Sequence, residues 1–313
     1  MPIPLKNIFC RRIEKQFERS IQDCGIKPGD KLLVAVSGGL DSTVLAFLCH
    51  QINLDFDLIH MNYGLRGAAS DGDEQFCHTL SQNMNRPFHL RNVKTEISQT
   101  TPNLQSVARE LRYNWFNEIL TQYNSRYILT GHHLDDHAET LIHQFIRGGG
   151  PDTLTGFFHG RIHVARPLKI FRRPEILQYA QLAGLEWRED ESNAQDHYTR
   201  NRIRHSILPL LKEYNSGLEQ SLIERAKAVN GVIEYAQHSI ARELKERVIA
   251  ENDLAWVDTK WLRDCPYQLF FLRSWLIPSG FSDGDIKATL QLLNKKRGEL
   301  RVGSRILRLT DVA

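Results

Sequence analysis

Residues Lys31 to Ser42 read KLLVAVSGGLDS, a short apolar run that passes directly into a glycine-containing loop. The run KLLVAV predicts a buried strand, and Thr43 to His50 predicts a helix packed against it. Short apolar segments then alternate with amphipathic helical patterns, which predicts parallel βαβ units and an α/β fold. The other strands are predicted at residues 56–61, 88–93 and 127–130, and the helices at about 11–24, 71–84, 103–121 and 135–147.

Length and composition restrict the class of protein. The 313 residues are enough for about two domains that need no disulfide staples. Apolar residues make up 41% and charged residues 25%, which excludes a disordered or fibrous chain. No apolar run reaches the roughly 18 residues of a membrane span, and the start of the chain lacks the apolar core of a secretory signal. Five scattered cysteines without a CxxC pair indicate a reducing compartment, so we expect a cytoplasmic protein.

The pattern of the chain changes in its last third. Glu213 to Gly217 (EYNSG) is polar and turn-forming, which is typical of a linker. A long helical pattern follows to about Glu251, and Glu299 to Leu309 reads as a hairpin. We therefore expect two domains, an α/β domain of residues 1–214 and a smaller, mostly helical domain of residues 215–313.

The SGGLDS loop (Ser37–Ser42) lies between the first predicted strand and its helix. Its two glycines permit positive φ angles and close backbone approach, so successive N–H groups can point at an anion. The dipole at the start of the helix and two serine hydroxyls favour the anion further. A tight glycine turn without a ligand is the alternative, but the whole pattern in this position favours phosphate binding. It is not a Walker A loop, because no GK[ST] follows.

A cluster of acids and histidines follows the fourth predicted strand, where Gly131 to Thr140 reads GHHLDDHAET. Ligands of parallel sheets bind at the carboxyl ends of the strands, where this segment and the SGGLDS loop both fall. If a helix begins near Leu134, Asp136 and Glu139 share one face, which favours a functional pair over a solvated surface. Asp135 then lies in the first turn, where an acid commonly caps the helix.

A metal-dependent phosphohydrolase is a second interpretation of the same segment. His133 and His137 are four residues apart, which is a zinc-ligand spacing, and aspartates lie nearby. The glutamate of an HExxH motif is absent, and the SGGLDS loop would then have no role. This interpretation is the weaker one, and the sequence leaves it open.

Five further segments combine charged, aromatic and amide residues in an informative order. They are HMNYGLR (60–66), NLQSVARELRY (103–113), RPL (166–168), WREDESN (187–193) and RNRIRHSILP (200–209). Together with the SGGLDS loop and GHHLDDHAET, they resemble the tRNA(Ile)-lysidine synthetase family of PP-loop ATP pyrophosphatases. The resemblance covers about residues 30–212, with a looser likeness beyond. It implies a PP-loop domain of the adenine nucleotide alpha-hydrolase-like, Rossmann-like kind, followed by a mostly helical domain that docks tRNA.

The chain departs from the family's usual pattern at three positions. Tyr63 stands where the family often has histidine, and Gln105 replaces a common glutamate before the AR motif. Glu191 stands where proline is usual in the W-x-x-D-P-S-N segment. The chemistry implied by the family depends on none of these three residues.

The resemblance implies a reaction with ATP, Mg²⁺, free L-lysine and the isoleucine tRNA with a CAU anticodon. The C2 oxygen of the wobble cytidine would attack the α-phosphate, which gives an adenylated base and diphosphate. The lysine ε-amine would then displace AMP at C2 and leave lysidine. This changes the specificity of the tRNA from methionine and AUG to isoleucine and AUA. The sequence contains no membrane segment and is compatible with a homodimer.

The chemical demands of this reaction suggest roles for residues of the SGGLDS loop, of GHHLDDHAET and of the NLQSVARELRY segment. Asp41, the one acid in an anion site, would bind Mg²⁺. Asp136 and Glu139 would attract the lysine ammonium and take its proton, because an amine with a reference pKa of about 10.4 must lose one before it attacks. Arg112 and His132 would donate to the α-phosphate or the adenylate. The residues that would hold the leaving diphosphate are Ser37, Gly38, Gly39, Leu40, Asp41 and Ser42.

Several assignments stay open on the sequence alone. Arg109, three residues before Arg112, is an equal alternative as the phosphate ligand. Arg204 would contact the nucleotide or the tRNA backbone. Without the resemblance, a solvated helix charge is the preferred interpretation of all three arginines.

Another PP-loop tRNA-modifying enzyme, or a tRNA-binding module with a vestigial nucleotide loop, is an alternative to the ligase. Bases that would contact tRNA phosphates are Lys295, Lys296, Arg297, Arg301, Arg305, Arg308, Arg200, Arg202 and Lys212.

Overall fold

The computed structural model describes residues 7–98, 100–148, 151–156, 163–189, 202–251, 254–295, 298–302 and 305–309. The chain divides into two compact units between Lys227 and Ala228. The first unit is α/β and the second is mostly helical, as predicted, while the domain boundary after residue 214 stays a prediction. Within the described ranges, no helix has both the length and the apolar character that a membrane span requires.

Five parallel strands form the sheet of the first unit. They are β1 (Leu32–Ala35), β2 (Phe56–Asn62), β3 (Phe88–Asn92), β4 (Tyr127–Leu129) and β5 (Val164–Ala165). The strand order is β3-β2-β1-β4-β5. The chain builds the sheet outward from β1 to β3 and then returns to the other side of β1 with β4. A crevice forms at such a reversal, outside the carboxyl ends of the strands.

The helices of the first unit cover both faces of this sheet. They are α1 (Ile8–Asp23), α2 (Leu40–Gln51), α3 (Ala68–Asn83), α4 (Leu104–Gln122), α5 (Leu134–Arg147), α6 (Arg173–Leu182) and α7 (Leu208–Tyr214), and α8 (Leu218–Arg247) crosses the division between the units. The four predicted strands and the helices between them are confirmed to within a few residues. The two-residue strand β5 was not predicted, because so short a segment shows no periodicity.

Alternate residues of β1 face two separate hydrophobic cores. Leu32 and Val34 pack in the core that contains Phe17 of α1, and Leu33 packs in the core that contains Phe116 of α4. All five side chains are buried, and each contributes about 1.5–3 kcal/mol to folding. Because helices cover both faces of the strand, KLLVAV is apolar at consecutive positions and not only at every second one.

The second unit contains short helices and two antiparallel hairpins. Its elements are β6 (Val248–Glu251), β7 (Leu254–Val257), α9 (Thr259–Asp264), α10 (Gln268–Leu276), α11 (Asp283–Lys295), β8 (Gly298–Val302) and β9 (Arg305–Leu309). The β8–β9 hairpin confirms the prediction, and its turn at residues 303–304 lies outside the described residues. The prediction that the long helix reaches Glu251 is wrong, because residues 248–251 pair with residues 254–257.

Candidate active site

The SGGLDS loop connects β1 to α2 at the carboxyl edge of the sheet. Gly38 has a φ of +87°, a left-handed conformation that glycine accepts without strain. The helix begins at Leu40 with Gly39 as its N-cap, so the loop leads directly into a helix N-terminus. The Ser37 N–H donates to Oγ of Ser42 at 3.0 Å, and that hydroxyl donates to the Gly39 carbonyl at 3.0 Å. The loop is therefore a compact turn at a helix N-terminus, the geometry that binds phosphate.

The segment after β4 packs against the start of α2 at Gly131. A Cβ at this position would lie 3.0 Å from the carbonyl carbon of Asp41 and 3.0 Å from the backbone nitrogen of Ser42. A residue with a side chain would push these two backbones apart, so the close approach depends on glycine. The sequence placed the SGGLDS loop and GHHLDDHAET at the carboxyl ends of parallel strands, and the structure brings these two segments into contact.

His133 lies between the acids of these two segments. Its side chain is only 2% exposed, with Nε2 3.8 Å from Oδ2 of Asp41 and 3.5 Å from Oδ2 of Asp136. Its Nδ1 lies 3.4 Å from Oδ2 of Asp135. Burial alone lowers the pKa of His133, but the contact with Asp135 and the charges of Asp136 and Asp41 outweigh burial and raise the pKa above its usual value. Sequence reasoning weighed this histidine only as a zinc ligand and missed its place between the carboxylates.

Asp136 and Glu139 share one face of α5 as predicted, and Arg204 binds both of them. Nε of Arg204 donates to Oε1 of Glu139 at 2.5 Å, and Nη2 donates to Oε2 of Glu139 and to Oδ1 of Asp136, each at 3.0 Å. Burial lowers the pKa of Arg204, but the two carboxylates outweigh burial and raise it. Sequence reasoning expected this arginine to meet the nucleotide or tRNA, whereas in this structure it pairs with the acids assigned to lysine.

A π-helical turn, Ile203–Ile207, carries Arg204 to the acid pair. Ile203 is fully buried and packs with Ala138 of α5 and with Leu208. This contact seats the turn on α5 beside the two carboxylates. Single π-turns are frequent at functional sites. The RNRIR sequence shows the positive charges but carries no signal for this distant pairing.

Asp41 follows the two glycines and faces the same group of charges. Burial raises the pKa of its carboxyl, the charge of His133 opposes this, and the charge of Asp136 adds to it. Its Oδ1 is buried without a hydrogen-bond partner in the described part of the chain. An unsatisfied carboxylate oxygen is costly, and it suits a hard divalent cation such as Mg²⁺. Asp41 therefore fits the metal-ligand role, with substrate phosphates as the further ligands that Mg²⁺ commonly takes.

His137 has its own surroundings, which differ from those of His133. Burial lowers the pKa of His137 to about 4, and a hydrogen bond with the Thr155 backbone opposes that shift. A Cβ at Gly156 would lie 2.4 Å from Nε2 of His137, so the imidazole packs directly on that glycine. Among the described residues, no three His, Cys, Asp or Glu side chains form a group that could hold a metal. His133 and His137 therefore belong to no such group in the described part of the chain.

Arg112 and His132 lie beside the carboxyl ends of two different strands. Nε of Arg112 donates to the hydroxyl of Tyr63 at 2.9 Å, and Tyr63 directly follows β2. His132 lies between β4 and α5. The guanidinium of Arg109 lies over the ring of Tyr113, with Cζ 4.9 Å from the ring centroid. The tyrosine at position 63 thus gives Arg112, and not Arg109, an acceptor at the edge where the site lies.

A family model described as a PP-loop domain matches residues 9–211, which include the SGGLDS loop and the acids of α5. The chain belongs to the PP-loop family. Membership in this family confirms the predicted fold class, and it agrees with the five-stranded parallel sheet.

Curated tRNA(Ile)-lysidine synthases are similar to this PP-loop protein over most of its length. The one from Bacteroides thetaiotaomicron is 36% identical over 274 residues, which are 87% of this chain and 63% of that protein. The one from Porphyromonas gingivalis strain W83 is 31% identical over 291 residues, which are 91% of this chain and 63% of that protein. These relatives confirm the resemblance found in the motifs. The chain spans 63% of the length of either relative.

A solved structure shares the fold of this PP-loop protein at lower sequence identity. The U34-tRNA thiolase NcsA from Methanococcus maripaludis superposes with a TM-score of 0.60 and 19% identity. The match covers 71% of this chain and 79% of that one. At this identity the likeness shows the fold alone.

Proposed function

We propose that this PP-loop protein is an ATP-dependent ligase that joins free L-lysine to C2 of the wobble cytidine in the CAU-anticodon isoleucine tRNA. The reaction would release AMP and diphosphate and leave a tRNA that decodes AUA as isoleucine. The observation that carries the proposal is the seating of Gly131 on Asp41 and Ser42, which joins the phosphate loop to the acids of α5. The similarity to curated tRNA(Ile)-lysidine synthases supports the same reaction.

The first half of the reaction takes place at the SGGLDS loop, whose N–H groups and helix dipole hold the leaving diphosphate. Ser37, Ser42 and the backbone of Leu40 belong to this cradle. Asp41 would hold Mg²⁺, which would neutralise phosphate charge. Arg112 and His132 donate hydrogen bonds to the α-phosphate as negative charge develops there.

The second half of the reaction uses the acid pair of α5. Asp136 and Glu139 attract the ε-ammonium of lysine and accept or relay the proton that the amine must lose. Both carboxylates are bound by Arg204, so the ammonium binds by sharing them with this guanidinium or by displacing it. The cytidine must leave its stack to reach these residues, which is easiest in the single-stranded anticodon loop.

The tRNA is proposed to dock on the basic residues of the mostly helical region 215–313, and on the earlier bases Arg200, Arg202 and Lys212. Of the bases named for this role, residues 200, 296 and 297 lie outside the described residues. Docking through phosphate contacts would weaken with salt, because bound counterions are released. A cytoplasmic location and a homodimer remain predictions of the same proposal.

Thiolation is a second chemistry known for PP-loop tRNA enzymes, and the cysteines of this chain do not favour it. All five are free, and four of them are buried. In the part of the chain that is described, no three of them gather into a group that could hold a metal. A tRNA-binding module without catalysis is also disfavoured, because the carboxylates of the site are all present.

The test is release of AMP and diphosphate by the full chain with ATP, Mg²⁺ and an unmodified CAU-anticodon transcript, with and without lysine. AMP formation that requires both lysine and the RNA is expected. Asp41→Asn should lower the rate at least about a hundredfold, since charge stabilisation at the phosphates is lost. Asp55→Asn is the matched control, because Asp55 lies before β2 at the opposite edge of the sheet and is 66% exposed. Lysine-independent AMP formation, or full activity in Asp41→Asn, contradicts the proposal.

A further inference from the structure

The carbonyl of Gly38 is bound from outside the SGGLDS loop. The backbone N–H of Arg188 donates to it at 2.9 Å. All peptides in the described residues are trans, so the Gly38 carbonyl and the Gly39 N–H point in opposite directions. The Gly39 N–H accordingly points into the loop, towards Oγ of Ser37 at 3.4 Å. The hydroxyl of Thr43 also donates to the Gly38 carbonyl, at the longer distance of 3.5 Å. The shorter bond from Arg188 therefore helps to set the direction of an N–H group in the SGGLDS loop.

Asp73 of α3 holds the side chain of Arg188. Nε of Arg188 donates to Oδ1 of Asp73 at 2.5 Å, and Nη2 of Arg66 donates to Oδ2 at 2.5 Å. Asp73 is 7% exposed, so its carboxylate depends on these two guanidinium groups. The Arg188 guanidinium also lies over Gly72, where a Cβ would be 2.8 Å from Nη2. Charge-assisted hydrogen bonds of this kind are about twice as strong as neutral ones, so they fix the position of Arg188.

The same helix also supports the loop directly. A Cβ at Gly38 would lie 3.5 Å from the Phe76 ring, 3.7 Å from Sγ of Cys77 and 3.8 Å from Cβ of Asp73. One face of α3 therefore contacts the loop and carries the carboxylate that holds Arg188. The loop, the helix and the segment around Arg188 form one connected unit.

We propose that Asp73 is a positioning residue for phosphate binding, and that it acts through Arg188 to orient the Gly38–Gly39 peptide. Asp73 itself contacts no substrate. The inference rests on the proposed role of the SGGLDS loop in holding diphosphate. It also gives functions to Arg66 and Arg188, which belong to the HMNYGLR and WREDESN segments and have no role in the chemistry proposed above.

The experiment titrates the full chain with inorganic diphosphate, and separately with ATP, in the presence of Mg²⁺. Asp73→Asn keeps the size of the side chain and removes its charge, and it should weaken both affinities about tenfold. Arg188→Ala should have a similar effect, and it tests the same contact at a side chain that is 41% exposed. Asp71→Asn is the matched control, because Asp71 lies on the same helix and pairs with Lys94 instead.

A positioning role predicts a specific kinetic pattern as well. Asp73→Asn should raise the KM for ATP and leave the KM for lysine unchanged, and Asp73→Glu should restore part of the affinity. Diphosphate affinities of Asp73→Asn and Arg188→Ala within twofold of wild type would overturn the inference. If Asp73→Asn does not fold, Arg188→Ala decides. Wild-type protein that binds neither ligand contradicts the proposed function instead, so the two failures are distinguishable.

Discussion

Arg204 holds Glu139 through two hydrogen bonds, from Nε to Oε1 at 2.5 Å and from Nη2 to Oε2 at 3.0 Å. Glu139 is 1% exposed, so its carboxylate is removed from water and is stabilised by this guanidinium. The acid assigned to the incoming lysine amine is thus already paired with a cation of the chain itself. Replacing Arg204 alone should therefore lower the free energy of unfolding more than replacing Arg204 and Glu139 together.

Arg204→Met should lower the free energy of unfolding by about 3 kcal/mol, because it removes the cation that pairs with the buried carboxylate of Glu139. Urea denaturation near pH 7 measures the loss. The double variant Arg204→Met/Glu139→Gln should recover much of it, since the charge of Glu139 is then gone and only Asp136, whose side chain is 13% exposed, loses its cation. Equal instability of the single and the double variant would show that the ion pair is not the cause.

Gly131→Ala should weaken ATP binding while the protein still folds. The added methyl group would lie 3.0 Å from backbone atoms of Asp41 and Ser42, so the start of α2 must shift. A displacement of about 1 Å at a catalytic site can cost about a hundredfold in rate, so this shift of a few tenths of an ångström should weaken ATP binding by less, about threefold to tenfold. Gly231→Ala is the control, because a Cβ there meets no atom within 4 Å. Equal ATP affinities of Gly131→Ala and wild type would contradict this account of the junction.

His133 should make the stability of the protein depend on pH. Its pKa is raised in the folded state, so its contribution is complete below the unfolded pKa of about 6.5. The contribution is then lost as the pH rises through the folded pKa. The difference in unfolding free energy between wild type and His133→Gln should therefore be largest at about pH 6 and shrink towards about pH 9. A difference that does not change with pH in urea denaturation would refute the charged state of His133.

The thiols nearest the centre of the first unit should be inert in the folded protein. Cys49 and Cys77 are fully buried. Burial raises the pKa of Cys77 to about 12 and raises that of Cys49 as well. Since the thiolate is the reactive form, iodoacetamide at about pH 8 should modify neither until urea is added. Peptide mass spectrometry would show the half-buried Cys24 modified first. Rapid labelling of Cys77, which lies beside Gly38, would contradict this prediction and would indicate a reactive thiol at the SGGLDS loop.

The sequence by itself determined the sheet, the phosphate loop and the face that Asp136 shares with Glu139. Each of these follows from local spacing: consecutive apolar residues in KLLVAV, two glycines before a helix, and two acids three residues apart. Local spacing is visible without knowledge of the fold.

Only the tertiary structure decided which distant charges meet. Arg204 and Glu139 are 65 residues apart in the chain, and Arg188 and Asp73 are 115 apart. No periodicity relates such residues, because their contact depends on how the π-turn seats on α5 and how the segment after α6 packs on α3. The strand β5 and the β6–β7 hairpin were missed for the same reason, since pairing with a neighbouring strand, and not their own pattern, makes them strands.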